Sequence, residues 1–85
     1  MLNVFYSRQG EKFLEKAEKE IAKRVIKKIE ELRENPFPRE AIKVEGYKEK
    51  TLRVRTGHYR ILYEVDQSNN HLGIVKIDKR DRVYD

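Results

Sequence analysis

An α+β domain is the fold class predicted by three features read in chain order. A short alternating apolar segment opens the chain, one long stripe of apolar residues at helical spacing follows, and several alternating segments separated by turn residues complete it. All three fit in 85 residues, the length of a single domain spanning 1–85. A domain this small buries only a modest core.

Leu2, Val4 and Tyr6 alternate with Asn3 and Phe5, which predicts a short first strand. Ser7 stands where a helix N-cap belongs, because its hydroxyl can accept a backbone N–H of the first turn. From Arg8 to Glu34, the residues Phe13, Leu14, Ala17, Ile21, Val25, Ile29 and Leu32 recur at spacings of three and four. Lys and Glu fill the opposite side, with Glu20–Arg24 and Lys27–Glu31 as i,i+4 pairs. The periodicity leaves open whether this run is one helix or two. Asn35-Pro36-Phe37-Pro38 ends it, since proline cannot donate to the helix ladder and restricts the residue before it.

The remainder reads as sheet. Ile42 and Val44 alternate before Gly46, and Leu52 to Arg55 alternate strictly. Thr56-Gly57 is a turn signal, and Tyr59, Ile61, Tyr63 and Val65 then alternate with polar positions. A second turn falls at Gln67 to Asn70. Leu72 to Ile77 is mostly apolar, as a central strand should be. The expected order is a strand, helices, then a small antiparallel sheet with the helices on one face.

Charged residues make up 41% of the chain and hydrophobic residues 38%, with a formal net charge of +5. A small basic domain attracts polyanions, nucleic acid first among them. The absence of cysteine excludes disulfides, zinc–thiolate sites and cysteine nucleophiles. No apolar run approaches the ~20 residues that a membrane-spanning helix needs. Met1 to Gly10 lacks the pattern of a secretory signal, so a cytoplasmic location is expected and no membrane partner.

The hairpin around Gly57 carries the chemistry. An even loop such as Thr56-Gly57 sets Val54 opposite Tyr59 and Leu52 opposite Ile61. Leu52, Val54, Tyr59, Ile61, Tyr63 and Val65 then form one coherent core face, whereas an odd loop would mix the faces. Arg53 and Arg55 fall on the other face, together with Arg60, placed opposite Arg53. Like charges set across a sheet destabilise it. Three guanidinium groups kept together point to an anionic ligand, because their forks match phosphate oxygens. The competing reading is a solvated outer face paired through Glu64.

The end of the chain repeats the theme, with Lys79, Arg80 and Arg82 before Tyr84. A tyrosine beside cations can stack on a base while the cations hold the backbone. His58 and His71 have no neighbouring acid or second ligand in sequence. No metal-ligand spacing, glycine-rich phosphate loop or Ser/His/Asp arrangement is legible, and Asp66 and Asp78 read as strand-end residues.

Gly46-Tyr47, followed by Leu52-Arg53-Val54-Arg55-Thr56-Gly57-His58-Tyr59-Arg60-Ile61-Leu62-Tyr63, resembles the central signature of the RelE/ParE toxin superfamily. Lys79-Arg80-Asp81-Arg82-Val83-Tyr84 is similar to the closing motif of that family, and the resemblance spans nearly the whole chain. It implies a helical hairpin, bent near Ala17 to Lys19, packed on a small antiparallel sheet. It also implies the toxin of a type II toxin–antitoxin pair, with a RelB-like antitoxin as partner.

On the RelE side of the family, the implied activity is a ribosome-dependent endoribonuclease that cuts mRNA in the A site. Neither metal nor cofactor is implied. By matching positions, Arg53, Arg55, Arg60, Arg80 and Tyr84 would be catalytic, and Lys79 and Arg82 would bind RNA. Some relatives carry lysine where this chain has Arg53 and Arg55, and many carry histidine at the position of Lys79. Arginine keeps its proton, so Arg53 and Arg55 suit phosphate binding better than proton removal. The alternatives are a ParE-type DNA gyrase inhibitor of the same fold, and an RNA- or protein-binding module without turnover.

Overall fold

The computed structural model describes residues 1–47 and 50–79. The element order is β1 (Asn3–Tyr6), α1 (Arg8–Lys16), α2 (Lys19–Glu34), β2 (Ile42–Lys43), β3 (Leu52–Thr56), β4 (Tyr59–Asp66), a 3-10 turn (Gln67–Asn69) and β5 (His71–Lys79). The strands form one sheet in the order β1-β5-β4-β3-β2. β2 to β5 are antiparallel neighbours, as expected, but β1 joins β5 in parallel, so the sheet is mixed. The helical segment supplies the crossover. It carries the chain from the β1 edge to the β2 edge over one face, with α1 packed on β5 and α2 on β3.

The first turn of α1 forms as Ser7 predicts. Ser7 is extended, and its Oγ accepts the Gly10 N–H at 3.1 Å. The helical run does divide where the family resemblance implies. Ala17 and Glu18 both adopt extended backbone, with ψ of 149° and 150°. No proline or glycine marks the break. The apolar spacing from Ala17 through Ile21 to Val25 runs straight across it, which is why periodicity could not show it. The ion pairs of α2 also differ from the expected ones. Lys28 lies 3.6 Å from Glu31 and 2.9 Å from Glu40, and Arg33 lies 3.0 Å from Glu30.

Between sheet and helices, Val25, Ile29 and Leu32 of α2 pack with Val54, Ile61, Tyr63, Leu72, Ile74 and Ile77. The expected core face of the hairpin is present in full, since Leu52, Tyr59 and Val65 pack against the same cluster. β5 is an interior strand between β1 and β4, in keeping with its apolar run. β2 is shorter than expected, with Val44 continuing the ladder only through its N–H to the Thr51 carbonyl at 3.0 Å.

β5 contains an irregularity that the alternation did not predict. Tyr63 pairs with Ile74 but Leu62 pairs with Lys76, so Val75 is an extra residue, a β-bulge. A bulge leaves backbone groups without ladder partners. Here the Ser7 hydroxyl donates to the Val75 carbonyl at 2.7 Å, and the Ser7 N–H donates to the Ile74 carbonyl at 2.9 Å. Beyond the end of β1, the Gln9 side-chain amide takes the place of a neighbouring strand. It donates to the Ile77 carbonyl at 2.7 Å and accepts the Ile77 N–H at 2.8 Å.

Ser7→Ala removes both the cap and the bond to Val75 and should cost about 1–2 kcal/mol. At roughly 4–8 °C per kcal/mol for a domain of this size, thermal melting will show it. An unchanged melting temperature would mean that the cap does not hold the bulge. Tyr63, fully buried, donates its hydroxyl to the Pro36 carbonyl at 2.8 Å, and burial pushes its pKa up to about 12 from 10.0. The group is therefore raised in the fold, so its contribution is intact below pH 10 and is lost as pH rises towards 12. Tyr63→Phe should cost about 1 kcal/mol at neutral pH and reduce the steepness of alkaline unfolding.

Candidate nucleic-acid interface

The sheet face away from the helices is built from four cross-strand rows. The first is Arg55–Arg60–Asp78, the second Arg53–Leu62–Lys76, the third pairs Glu64 with Gly73, and the fourth pairs Asp66 with His71. The three arginines singled out in the sequence thus share one face, but the register differs from the one expected. The loop of the hairpin is Gly57-His58 rather than Thr56-Gly57. Arg60 therefore lies opposite Arg55, and Leu62 lies opposite Arg53. Both loops are even, so the division of residues between faces is unchanged. Gly57 fixes the turn through its φ of +62°, the left-handed value that a two-residue hairpin loop favours at its first position. The Arg24 side chain of α2 lies across this glycine.

Asp78 lies near the end of β5, as expected, and there it takes on a pairing that the sequence did not show. Its carboxylate accepts from Arg60 Nε at 2.8 Å and from a terminal guanidinium nitrogen at 3.4 Å. Lys76 Nζ lies 3.7 Å from the same carboxylate. Glu64 is not the partner of the arginines. It accepts instead from the Thr51 hydroxyl at 3.2 Å. Asp78 relieves the repulsion of the opposed Arg55 and Arg60 and fixes the direction of the Arg60 guanidinium. The Arg60–Asp78 pair is half-buried, so its geometry is better defined than that of a fully solvated surface pair.

Leu62 is buried on this face although it lies outside the main core. Arg53 and Lys76 are its cross-strand neighbours, and their aliphatic stems can cover it while their charges face outward. Among the described residues the face therefore holds four cations, Arg53, Arg55, Arg60 and Lys76, against three carboxylates, Glu64, Asp66 and Asp78. Lys79, expected to bind RNA, pairs with Tyr59 at the end of β5 and so takes the register of the helix side, apart from the arginines. Arg80, Arg82 and Tyr84 lie outside the described residues. His58 is exposed in the hairpin turn, and His71 packs its ring on Phe5 at 4.3 Å between centroids.

Lys76 and Asp78 were missed because the Val75 bulge inverts the alternation of β5. Without it, Ile77 would lie opposite Arg60. A buried series of Leu72, Ile74 and Ile77, in place of a strict every-second pattern, is the only trace that the bulge leaves in the sequence.

Among known proteins, the sequence profile of the family described as "ParE toxin of type II toxin-antitoxin system, parDE" matches residues 4–84. No curated protein sequence matches the chain. The fold is similar to a chain of the archaeal RelE–RelB complex from Pyrococcus horikoshii OT3. The two are 30% identical over 96% of this chain and 98% of that one, with a TM-score of 0.81. The isolated E. coli RelE toxin gives a TM-score of 0.81 at 18% identity, covering 96% of this chain and 87% of its own. A chain of the RelBE2 complex from Mycobacterium tuberculosis gives 0.79 at 24% identity, covering 93% and 98%. At these lower identities, the last two likenesses show the fold alone.

Arg53→Ala should test the face as a polyanion surface. Binding to a single-stranded RNA, followed by fluorescence anisotropy, should weaken. The slope of log K against log salt should fall by about 0.7, the share of a single neutralised phosphate. The melting temperature should stay within about 2 °C of the parent, because the side chain is only partly buried. An unaltered salt slope would remove Arg53 from the interface.

Proposed function

The chain belongs to the family of ParE toxins of type II toxin–antitoxin systems, and from that membership we propose that it is a ribosome-dependent endoribonuclease of the RelE type. The observation that carries this reading is the guanidinium cluster on the open sheet face, Arg53 and Arg55 beside Arg60, with Asp78 orienting the last of these. The 30% identical archaeal relative is a RelE in complex with RelB, so a RelB-like antitoxin is the partner proposed. The ribosome and mRNA are the proposed targets, in the cytoplasm.

The 2′-hydroxyl of one nucleotide attacks the phosphorus of its own 3′ phosphate. The 2′-hydroxyl gives up its proton to solvent as the new O–P bond forms, the bond to the 5′ oxygen breaks and that oxygen takes up a proton, and the products are a 2′,3′-cyclic phosphate and a free 5′-hydroxyl. Charge grows on the phosphoryl oxygens as the phosphorane forms, and fixed cations aimed at that charge accelerate the step. In this reading Arg60 stabilises the phosphorane, and Asp78 is its positioning residue. Arg53 and Arg55 hold the backbone and lower the cost of ionising the 2′-hydroxyl by their charge. Arg80 binds the phosphate and assists the departing oxygen, while Tyr84 stacks on the nucleotide. Lys79 and Arg82 add contacts to RNA.

Arginine is a poor proton acceptor, so electrostatics and positioning of the mRNA by the ribosome carry most of the acceleration. The matched family is described as that of ParE toxins, and the second reading is therefore inhibition of DNA gyrase on the same fold, as the resemblance to ParE-type members implies.

Primer extension on ribosomes programmed with a defined mRNA and an empty A site separates the two. We expect cleavage within the A-site codon, none without ribosomes, and a loss of about 10²–10³-fold in rate for Arg60→Ala. Arg80→Ala should lower the rate similarly, and both variants should keep the circular dichroism of the parent. Intact mRNA together with inhibited supercoiling by gyrase would establish the second reading instead.

A further inference from the structure

Beyond the arginine rows, the same open face contains a cleft that the reaction above does not use. Its floor is Gly73, in the middle of β5 and directly opposite Glu64. A side chain built on Gly73 would meet nothing nearer than the Glu64 carbonyl at 4.0 Å, so the missing side chain is what opens the cleft. Phe5, Tyr47, Thr51, Glu64 and Val75 line a space of about 360 Å³ above it. Phe5 and Tyr47 are 52% and 45% exposed, large values for aromatic rings that line a depression. His71 backs Phe5 at 4.3 Å and steadies its ring. The cleft continues past Phe5 and Glu64 into a wider depression bordered by Lys43, Lys50 and Asp66.

The polar element of the cleft is Glu64. The buried Thr51 hydroxyl holds one carboxylate oxygen at 3.2 Å, and among the described residues no other hydrogen bond reaches this carboxylate. A fixed carboxylate accepts hydrogen bonds and repels anions. The ligand must therefore be flat enough to stack on aromatic rings and must carry N–H donors on its edge. It must also belong to a chain negative enough to be drawn by Arg53 and Lys76 on the neighbouring row of the face. An acidic protein segment meets the last condition but sets its own carboxylates against Glu64. Single-stranded RNA meets all three, because its bases can be splayed out, stacked and read on their Watson–Crick edges.

We propose that the cleft over Gly73 is a base-binding subsite for a nucleotide flanking the one on the arginine rows, and that Glu64 selects guanine there. Guanine is the one common base with two adjacent donors, N1–H and the exocyclic N2 amine, on the edge that a carboxylate can take in a fork. Adenine and cytosine offer one amine beside an acceptor nitrogen, and uracil offers one imino group between carbonyls. Glu64 lies four residues from Arg60 along β4, roughly 13 Å at the rise of a strand, so a neighbouring nucleotide of the same strand can reach it. The subsite rests on the reading of this face as an RNA surface, and not on the cleavage step.

The test is binding of fluorescent hexauridylates carrying a single guanosine, inosine or adenosine to the full chain, without ribosomes. The guanosine oligomer should bind about tenfold tighter than the adenosine one. Inosine, which lacks the N2 amine, should fall between. Glu64→Gln keeps an oxygen for Thr51 and should erase the preference. Gly73→Val, favoured by strand propensity, should keep the fold and abolish the preference by filling the floor. Equal binding of the three oligomers by the parent protein overturns the subsite whatever the variants do. So does a preference that survives both substitutions, or variants that weaken capture of the antitoxin while leaving RNA binding unchanged. A guanine preference without ribosomal mRNA cleavage retains the subsite and removes the nuclease reading. Cleavage without the preference does the reverse.

Discussion

The Val75 bulge, held by the Ser7 hydroxyl, is the constraint on which the working face depends. One extra residue in β5 exchanges the two sides of the strand beyond it. It sends Ile77 into the core, where it is fully buried, and turns Lys76 and Asp78 outward to meet the arginine rows. The bulge leaves the Val75 carbonyl in need of a donor, and the residue that supplies it also caps α1. Sheet register, helix entry and the charge pattern of the open face are therefore coupled through one serine. Gln9, in the first turn of the same helix, extends this coupling by pairing with both backbone groups of Ile77.

The second constraint is electrostatic. A small basic sheet that opposes Arg55 and Arg60 carries a repulsion that its modest core must outweigh. Asp78 relieves it without neutralising the face, since four cations still outnumber three carboxylates among the described residues. Leu62 shows how the cations are accommodated. Buried on the charged side, it lies in one row with Arg53 and Lys76, where long cationic side chains can cover apolar surface while their heads face outward. Glu64 is set apart from this network by Thr51, which leaves the far end of the face with a different chemistry from its centre.

The resulting surface is graded. Guanidinium groups dominate at the hairpin end, an aliphatic patch follows, and an aromatic cleft with one carboxylate lies beyond. A nucleic-acid strand needs all three kinds of contact: cations for phosphate, apolar cover for sugar and stem, and rings with a polar edge for bases. The departure from lysine to arginine at positions 53 and 55 fits this picture. Arginine forks grip and orient phosphate, and their fixed protonation makes them stabilisers of charge rather than carriers of protons.

The order of elements, the N-cap at Ser7, the helix stop at Asn35-Pro36 and the two faces of the hairpin were all legible in the sequence. Each is a local property: an alternation, a turn residue or a cap acts within a few positions. The gathering of Arg53, Arg55 and Arg60 on one face was legible for the same reason, because parity survives any even loop. Resemblance, not periodicity, located the break at Ala17 and Glu18, since the apolar stripe is continuous through it. Tertiary structure alone decided the parallel pairing of β1 with β5, the pairing of Arg60 with Asp78 and the cleft over Gly73. These depend on partners about twenty to seventy residues apart. They depend also on a bulge whose stabilising donor lies on another element, and no short-range pattern encodes a hydrogen bond between residues 7 and 75.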